Sequence, residues 1–370
     1  MVIRPRSGQI AAAPQPGLHM TLGAILRHLA FAAGLAVLSA CVVRLMIAAQ
    51  VMDTPEARKS HEHPTPKGGG VGILTAFLVG IGLTYSFAEY ARLPEPYFIG
   101  VLEGTVAIAL VAFLDDLFDW PFIVKLGAQV LAAVVVVQSG LYVRDYRVPY
   151  VGPFLVGWLG PPATIVWLLF ATNAMNFIDG LNGLASGVSL ITCVFLAVIA
   201  ATHGGWFAYF ASLLLTAGIV GFLPFNFPKA RIFMGDVGSQ FCGFMLAVLG
   251  VVASRFDGIE LSLLLVPMML SGVLFDVAFT LIRRALAGAR LTEAHRGHLY
   301  QVAQRSGVPA TWVTLTHWGF AVVGGACSLA FIAAPTGWKP YVPFLTLLPQ
   351  AAWVPFVAYR ANRAGIQRWG

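Results

Sequence analysis

Apolar runs of about 20 residues, the length an α-helix needs to cross the hydrocarbon core of a bilayer, recur along this chain with centres near residues 36, 79, 106, 131, 168, 193, 214, 246, 271, 322 and 350. In hydrocarbon every backbone polar group has to find its partner inside the protein, and a helix does so within its own segment. The runs therefore predict an all-α fold, a polytopic membrane bundle of about 11 transmembrane helices. Composition agrees: 58% of the 370 residues are hydrophobic, 11% are charged, and the mean hydropathy is +0.79, far from soluble averages. The formal charge of +7 then reflects loops facing anionic lipid, with no nucleic-acid partner implied. Cys41, Cys193, Cys242 and Cys327 all lie in apolar stretches without a CxxC, as small core residues do.

Residues 1–19, with Pro5, Pro14 and Pro16, read as a disordered tail, and Met20 is an alternative start. Residues 20–370 read as a single transmembrane domain, because the joins are short and rich in Gly, Pro and charge. With the loop after the first helix on the cytoplasmic side, that side collects fifteen Lys and Arg against eight opposite. The positive-inside bias then places the C-terminus in the cytoplasm and the N-terminus outside.

Carboxylates, amides and histidines gather at that same boundary. Asp115, Asp116 and Asp119 fall within five residues at the end of the third run. They read either as hard oxygen ligands suited to Mg2+ and a phosphate or as a solvated acidic helix end. Asn173, Asn176 and Asp179 repeat at i, i+3 and i+6 before Gly180, one polar stripe on an apolar helix that fits a ligand site or interhelical glue. Asp236 stands in a small-residue turn ahead of the eighth run, where it either faces an anion-favouring helix N-terminus or caps it. Lys67 with Gly68, Gly69 and Gly70 is a weak phosphate-cradle signal that lacks the P-loop pattern. His61 and His63 beside it read as solvated loop residues. His295, Arg296 and His298 resemble a cation cluster for a diphosphate more than a zinc site.

Taken in order, HPTPKGGG, LDDLFD, NAMNFIDGLNG, FNFPKARIFMGD and HRGHLYQ resemble the polyprenyl-phosphate N-acetylhexosamine-1-phosphate transferases (glycosyltransferase family 4). This family includes the phospho-MurNAc-pentapeptide translocase and lipid-linked GlcNAc-1-phosphate transferases. The resemblance runs from about residue 50 to 305 and is nearest to the branch that starts O-antigen and related glycans. It implies a Mg2+-dependent enzyme, with Mn2+ as a substitute ion, in the bacterial inner membrane. Its reaction would move HexNAc-1-phosphate from a UDP-N-acetylhexosamine to undecaprenyl phosphate, release UMP, and initiate a lipid-linked lipopolysaccharide-type glycan of the cell envelope. By position it implies Asp236 as the principal metal ligand, with Asp115 and Asp116 in the metal and lipid-phosphate region. Asn173, Asn176 and Asp179 would line the catalytic cleft, Asn182, Asn226 and Phe233 the uridine pocket, and His295, Arg296 and His298 the sugar diphosphate. Asp119 and His295-Arg296-Gly297-His298 depart from the peptidoglycan enzyme's lysine and triple histidine, which argues against a muramyl-pentapeptide substrate. A homodimer is compatible with the sequence.

A phosphate monoester is already a nucleophile near neutral pH, which favours direct attack over a covalent intermediate on Asp236. Lys67, Arg296 and the histidines would help relieve the repulsion between the two anions. The alternative is a cation- or proton-coupled transporter, which would place its carboxylates near mid-membrane, where only Glu103 and Asp276 fall. Asp276 is expected at the floor of the cleft, positioning Arg283 or the histidine loop, or else in a structural interhelical bond.

Overall fold

The computed structural model describes residues 21–53, 64–87, 95–118, 120–148, 152–254, 263–290, 295–367 and 369. The tail, His61, His63 and Asp119 lie outside the described residues. In chain order the elements are α1 (Leu22–Ala49), β1 (Met52–Asp53), β2 (Thr65–Pro66), α2 (Gly70–Phe87), α3 (Glu95–Phe118), α4 (Phe122–Gln138), β3 (Asp145–Val148), β4 (Gly152–Leu155) and α5 (Gly160–Ile178). There follow α6 (Leu184–Thr202), α7 (Trp206–Asn226), α8 (Gly235–Ala253), α9 (Leu265–Met269), α10 (Ser271–Leu286), α11 (Leu299–Arg305), α12 (Ala310–Ala333), α13 (Val342–Leu345) and α14 (Leu348–Arg363).

The protein is an all-α, multi-pass membrane protein. Among the described residues, eight helical stretches are long and apolar enough to cross a bilayer, against the eleven expected. Each expected centre does fall on a helical stretch, but three do not meet the requirement alone. One is α4, with 17 residues; another is α5, whose last turns carry Asn173 and Asn176. The run centred at 271 is broken at Leu270 into α9 and α10.

At the centre stands α8, buried without interruption from Val237 to Ala253. A helix apolar all round has to be enclosed, and α2, α3 and α5 pack against it. Small residues permit the approach: a Cβ on Gly243 would lie 2.9 Å from Ala171 O and from Met175 Cβ of α5. A second group, α1, α2 and α6, packs on α7, and Ser39 Oγ of α1 donates to Gly218 O of α7 at 2.7 Å. Large side chains such as Leu22, Leu29 and Leu45 of α1 face outward, as lipid contact allows.

Among the described residues, two antiparallel pairs complete the fold. The register Met52↔Pro66 and Asp53↔Thr65 folds the loop after α1 back so that Lys67 arrives at the N-terminus of α2. The second pair, Asp145↔Leu155 through Val148↔Gly152, joins α4 to α5 at the other end of those helices.

Candidate active site

Five helix ends converge where α8 begins. The Gly-rich stretch ahead of α2 runs beside the turn ahead of α8: Gly69 N donates to Phe233 O at 2.9 Å, Gly70 N to Met234 O at 2.8 Å, and Phe233 N to Pro66 O at 2.8 Å. A Cβ on Gly70 would lie 2.2 Å from Gly238 N, so only glycine allows this contact. The finding corrects one expectation, since the N–H groups of Gly69 and Gly70 hold backbone carbonyls and do not form a phosphate cradle. What the loop delivers is Lys67, whose Nζ lies 3.6 Å from Asp116 Oδ1.

Asp115 and Asp116 at the end of α3 have different surroundings. Asp115 is buried; it accepts from Trp120 N at 2.8 Å and from Lys125 Nζ of α4 at 2.8 Å. The N–H groups of Asp236 and Val237 face Asp116, whose Oδ2 is buried without a hydrogen-bond partner. Gly235, at φ 74°, makes room: a Cβ there would lie 2.7 Å from that oxygen. Lys125 Nζ is also 3.6 Å from Asp236 Oδ2. The positive charge that three neighbouring carboxylates demand is thus supplied by Lys67 and Lys125.

Asp236 terminates a directed chain of amides. Its Oδ1 accepts from Asn176 Nδ2 at 3.0 Å, and its Oδ2 from Gln240 Nε2 at 3.1 Å. Gln240 Oε1 accepts from Gln129 Nε2 at 2.9 Å, and Gln129 Oε1 from Asn173 Nδ2 at 2.6 Å. Because a carboxylate only accepts, the orientation of every amide follows from the charge on Asp236. Asn176 Nδ2 also donates to Ser239 Oγ at 3.0 Å. Sequence reasoning placed Asn173, Asn176 and Asp236 here but missed Lys125, Gln129, Ser239 and Gln240. The available signal was polar spacing at i, i+4 within apolar helices, Lys125 with Gln129 and Asp236 with Gln240. Asp179 closes α5, and burial, then Asp236, then Asp116 push its carboxyl well above the usual range.

Could this set hold a divalent cation? Asp116, with its orphaned oxygen, and Asp236 offer hard oxygen donors of the right kind. As the side chains stand, however, no three His, Cys, Asp or Glu residues gather at metal-holding spacing among the described residues, and Asp115 is held by Lys125. The pair Asp116 and Asp236 fits a metal; the expected trio with Asp115 does not close on one point.

The histidine loop joins the same end through α10. Asp276 accepts from His298 Nδ1 and Leu299 N on Oδ1 and from Tyr300 N on Oδ2, each at 3.0 Å. Tyr300 Oη in turn donates to Phe177 O of α5 at 3.0 Å. Arg283 Nη2 donates to Gly297 O at 3.0 Å, so α10 holds the loop at two points. Burial foremost, then His298, Arg284 and Arg283, lowers the His295 imidazole to about 4. His295 is therefore neutral near pH 7, and of the expected cation cluster Arg296 carries fixed charge. His295 Nδ1 accepts from Gly297 N at 3.2 Å, which puts the neutral ring's proton on Nε2.

The expected uridine residues lie along the neighbouring turns. Asn226 is buried and bonds backbone at both ends, accepting from Gly183 N at 2.7 Å and donating to Ile232 O at 2.9 Å. Asn182 Nδ2 donates to Pro228 O at 3.2 Å. Phe233 is half-buried. Of the two mid-membrane carboxylates, Glu103 is exposed on α3, whereas Asp276 belongs to the loop's support.

The family model described as glycosyl transferase family 4 matches residues 98–254. A probable undecaprenyl-phosphate N-acetylglucosaminyl 1-phosphate transferase of Bacillus subtilis (strain 168) is 31% identical over 266 residues, 71% of this chain and 72% of that protein. A decaprenyl-phosphate N-acetylglucosaminephosphotransferase of Mycobacterium tuberculosis (strain CDC 1551 / Oshkosh) is 30% identical over 75% of each chain. A phospho-N-acetylmuramoyl-pentapeptide-transferase of Acetivibrio thermocellus is 29% identical over 80% of this chain and 90% of its own. With its acids, amides and lysines at one end of a membrane bundle and relatives matched over most of their length, this chain belongs to glycosyl transferase family 4.

Proposed function

We propose that this protein transfers N-acetylhexosamine-1-phosphate from a UDP-sugar to undecaprenyl phosphate at the cytoplasmic face of a bacterial inner membrane, releasing UMP and starting a lipid-linked surface glycan. The observation that carries the reading is the convergence of Lys67, Asp116, Lys125, Asn176 and Asp236 at one end of a bundle of membrane helices. A polyprenyl tail stays in hydrocarbon while its phosphate sits at the boundary where these groups stand. The relatives' names supply the acceptor class, and two of the three name N-acetylglucosamine, which makes UDP-GlcNAc the first donor to try.

The chemistry asks an anionic phosphate to meet an anionic diphosphate, so preorganised positive charge is the main requirement. Lys67 and Lys125 meet it from one side of Asp116 and Asp236, and Arg296 from the histidine loop. Asp116 and Asp236 would hold Mg2+, or Mn2+ in its place, which when bound supplies Lewis-acid stabilisation of phosphoryl charge. Asn176 and Gln240 keep both oxygens of Asp236 oriented. Phe233 and Asn182 take the uridine side, with Asn226 holding the shape of the turn. The lipid phosphate attacks directly, since Asp236 is occupied with amides and cations and is a poor nucleophile.

The test is to incubate membranes carrying the protein with undecaprenyl phosphate, Mg2+ and a panel of UDP-N-acetylhexosamines and to measure UMP. Release that needs both the lipid phosphate and one particular sugar nucleotide is expected, and EDTA should stop it. No UMP from any donor overturns the transferase reading, while release undiminished by EDTA removes the metal from it.

A further inference from the structure

Asp276 lies buried in α10, apart from the cluster around Asp236, and its carboxylate is almost saturated with donors. Besides His298 Nδ1, Leu299 N and Tyr300 N, each at 3.0 Å, Thr280 Oγ1 stands 3.4 Å from Oδ1. A buried carboxylate persists only where hydrogen bonds replace water. Three of these four donors come from the consecutive residues 298–300, so the carboxylate acts as a template for that segment. An ionised carboxylate accepts only, which means His298 donates from Nδ1–H and keeps Nε2 as the ring atom free for another partner.

Two contacts fix where that ring sits. His298 lies against Phe177, ring centroids 6.0 Å apart, and the Tyr300 hydroxyl bonds Phe177 O, one turn from Asn173 and beside Asn176 and Asp179. His317 does not compete for Asp276: its Nε2 is 4.0 Å from Oδ2, beyond hydrogen-bond range, and its Nδ1 is turned to Val313 O at 2.8 Å.

We propose that Asp276 is a positioning residue, which holds His298 with Nδ1–H on its own carboxylate so that the lone pair on Nε2 accepts from a hydroxyl of the sugar nucleotide. The proposal deepens the transferase reading and rests on it for the identity of the ligand. The tautomer it requires is measurable without substrate.

Histidine 15N NMR on purified protein above neutral pH reads it directly. His298 should be the Nδ1–H tautomer in the wild type and move toward Nε2–H in Asp276→Asn, where an amide N–H would face one of the donors. An Nε2–H tautomer in the wild type overturns the proposal whatever the activity. Kinetics supply the second arm. His298→Asn keeps a donor at the Nδ1 position and leaves nothing at Nε2, whereas His298→Gln places an amide near Nε2. The proposal expects His298→Asn to raise KM for the sugar nucleotide about threefold to tenfold, the scale of one neutral hydrogen bond, and His298→Gln to raise it less. The reverse order would make His298 an anchor only. Asp276→Asn added to His298→Asn should cost little more, because a positioning residue has nothing left to position; full additivity overturns the coupling. Failure of the transferase reading shows separately, as absence of UMP release in the wild type.

Discussion

Asp115 and Asp116 are neighbours in sequence with unlike surroundings, and substitution should separate them. Asp115→Asn removes the charged oxygen that faces Lys125 and leaves an amide Oδ1 to accept from Trp120 N. It should lower Tm in detergent by an amount corresponding to about 1–3 kcal/mol, less than a fully enclosed pair because Lys125 reaches solvent. It also shifts the charge of Lys125 toward Asp236, 3.6 Å away, so kcat should fall as well. Asp116→Asn, whose Oδ2 has no hydrogen bond to lose, should keep Tm near the wild type and lose turnover. Equal Tm losses would mean that both are structural. Asp236→Asn should cut kcat at least about a hundredfold without lowering expression, since it replaces an acceptor at the meeting point of two amides and an ammonium. For His295 the sign of the pH effect follows from its lowered value of about 4. The folded protein keeps the ring neutral while an unfolded chain takes up a proton near its ordinary value, about 6.5. The stability contribution is therefore full above that value and is lost as pH falls toward 4. Melting curves between pH 7 and 4.5 should show a steeper acid loss in the wild type than in His295→Gln.

At the scale of elements, the crossing of α2 and α8 sets the site. Lys67 reaches Asp116 only because Gly69 and Gly70 lie flush on the turn from Phe233 to Met234. Gly70→Ala would bring a methyl to 2.2 Å from Gly238 N, so the helix ends have to part. Overpacking of this kind costs about 1–3 kcal/mol, and here it should also move Lys67 away from Asp116. The expected result is a lowered Tm together with a kcat loss; a variant of unchanged kcat would show that Lys67 is dispensable. In contrast, α4 enters the site through Lys125 and Gln129, one turn apart on a helix too short to count among the clear spans. That spacing was present in the sequence, where Lys125 counted only toward the Lys and Arg bias.

For the whole molecule, the sidedness derived from Lys and Arg predicts that the end bearing Asp115, Asp116, Asp236 and the histidine loop faces the cytoplasm. A reporter fused after residue 370 that is active only in the cytoplasm should be active, and a periplasm-only reporter silent; the opposite result would invert the assignment. The sequence alone determined that the chain is a bundle of membrane helices with its polar residues at one boundary. Hydropathy is local, and where a charge falls relative to the end of an apolar run can be counted without knowing what the helix touches. It did not determine that Lys125 stands against Asp115, that Gln129 and Gln240 complete a chain to Asp236 across 111 residues of sequence, or that Asp276 takes its donors from residues 298–300. Those facts depend on how helices rotate and cross. In a chain whose helices are apolar on nearly every face, that choice is made by close packing of small residues and by matching of buried donors to acceptors, and the tertiary structure alone decides both.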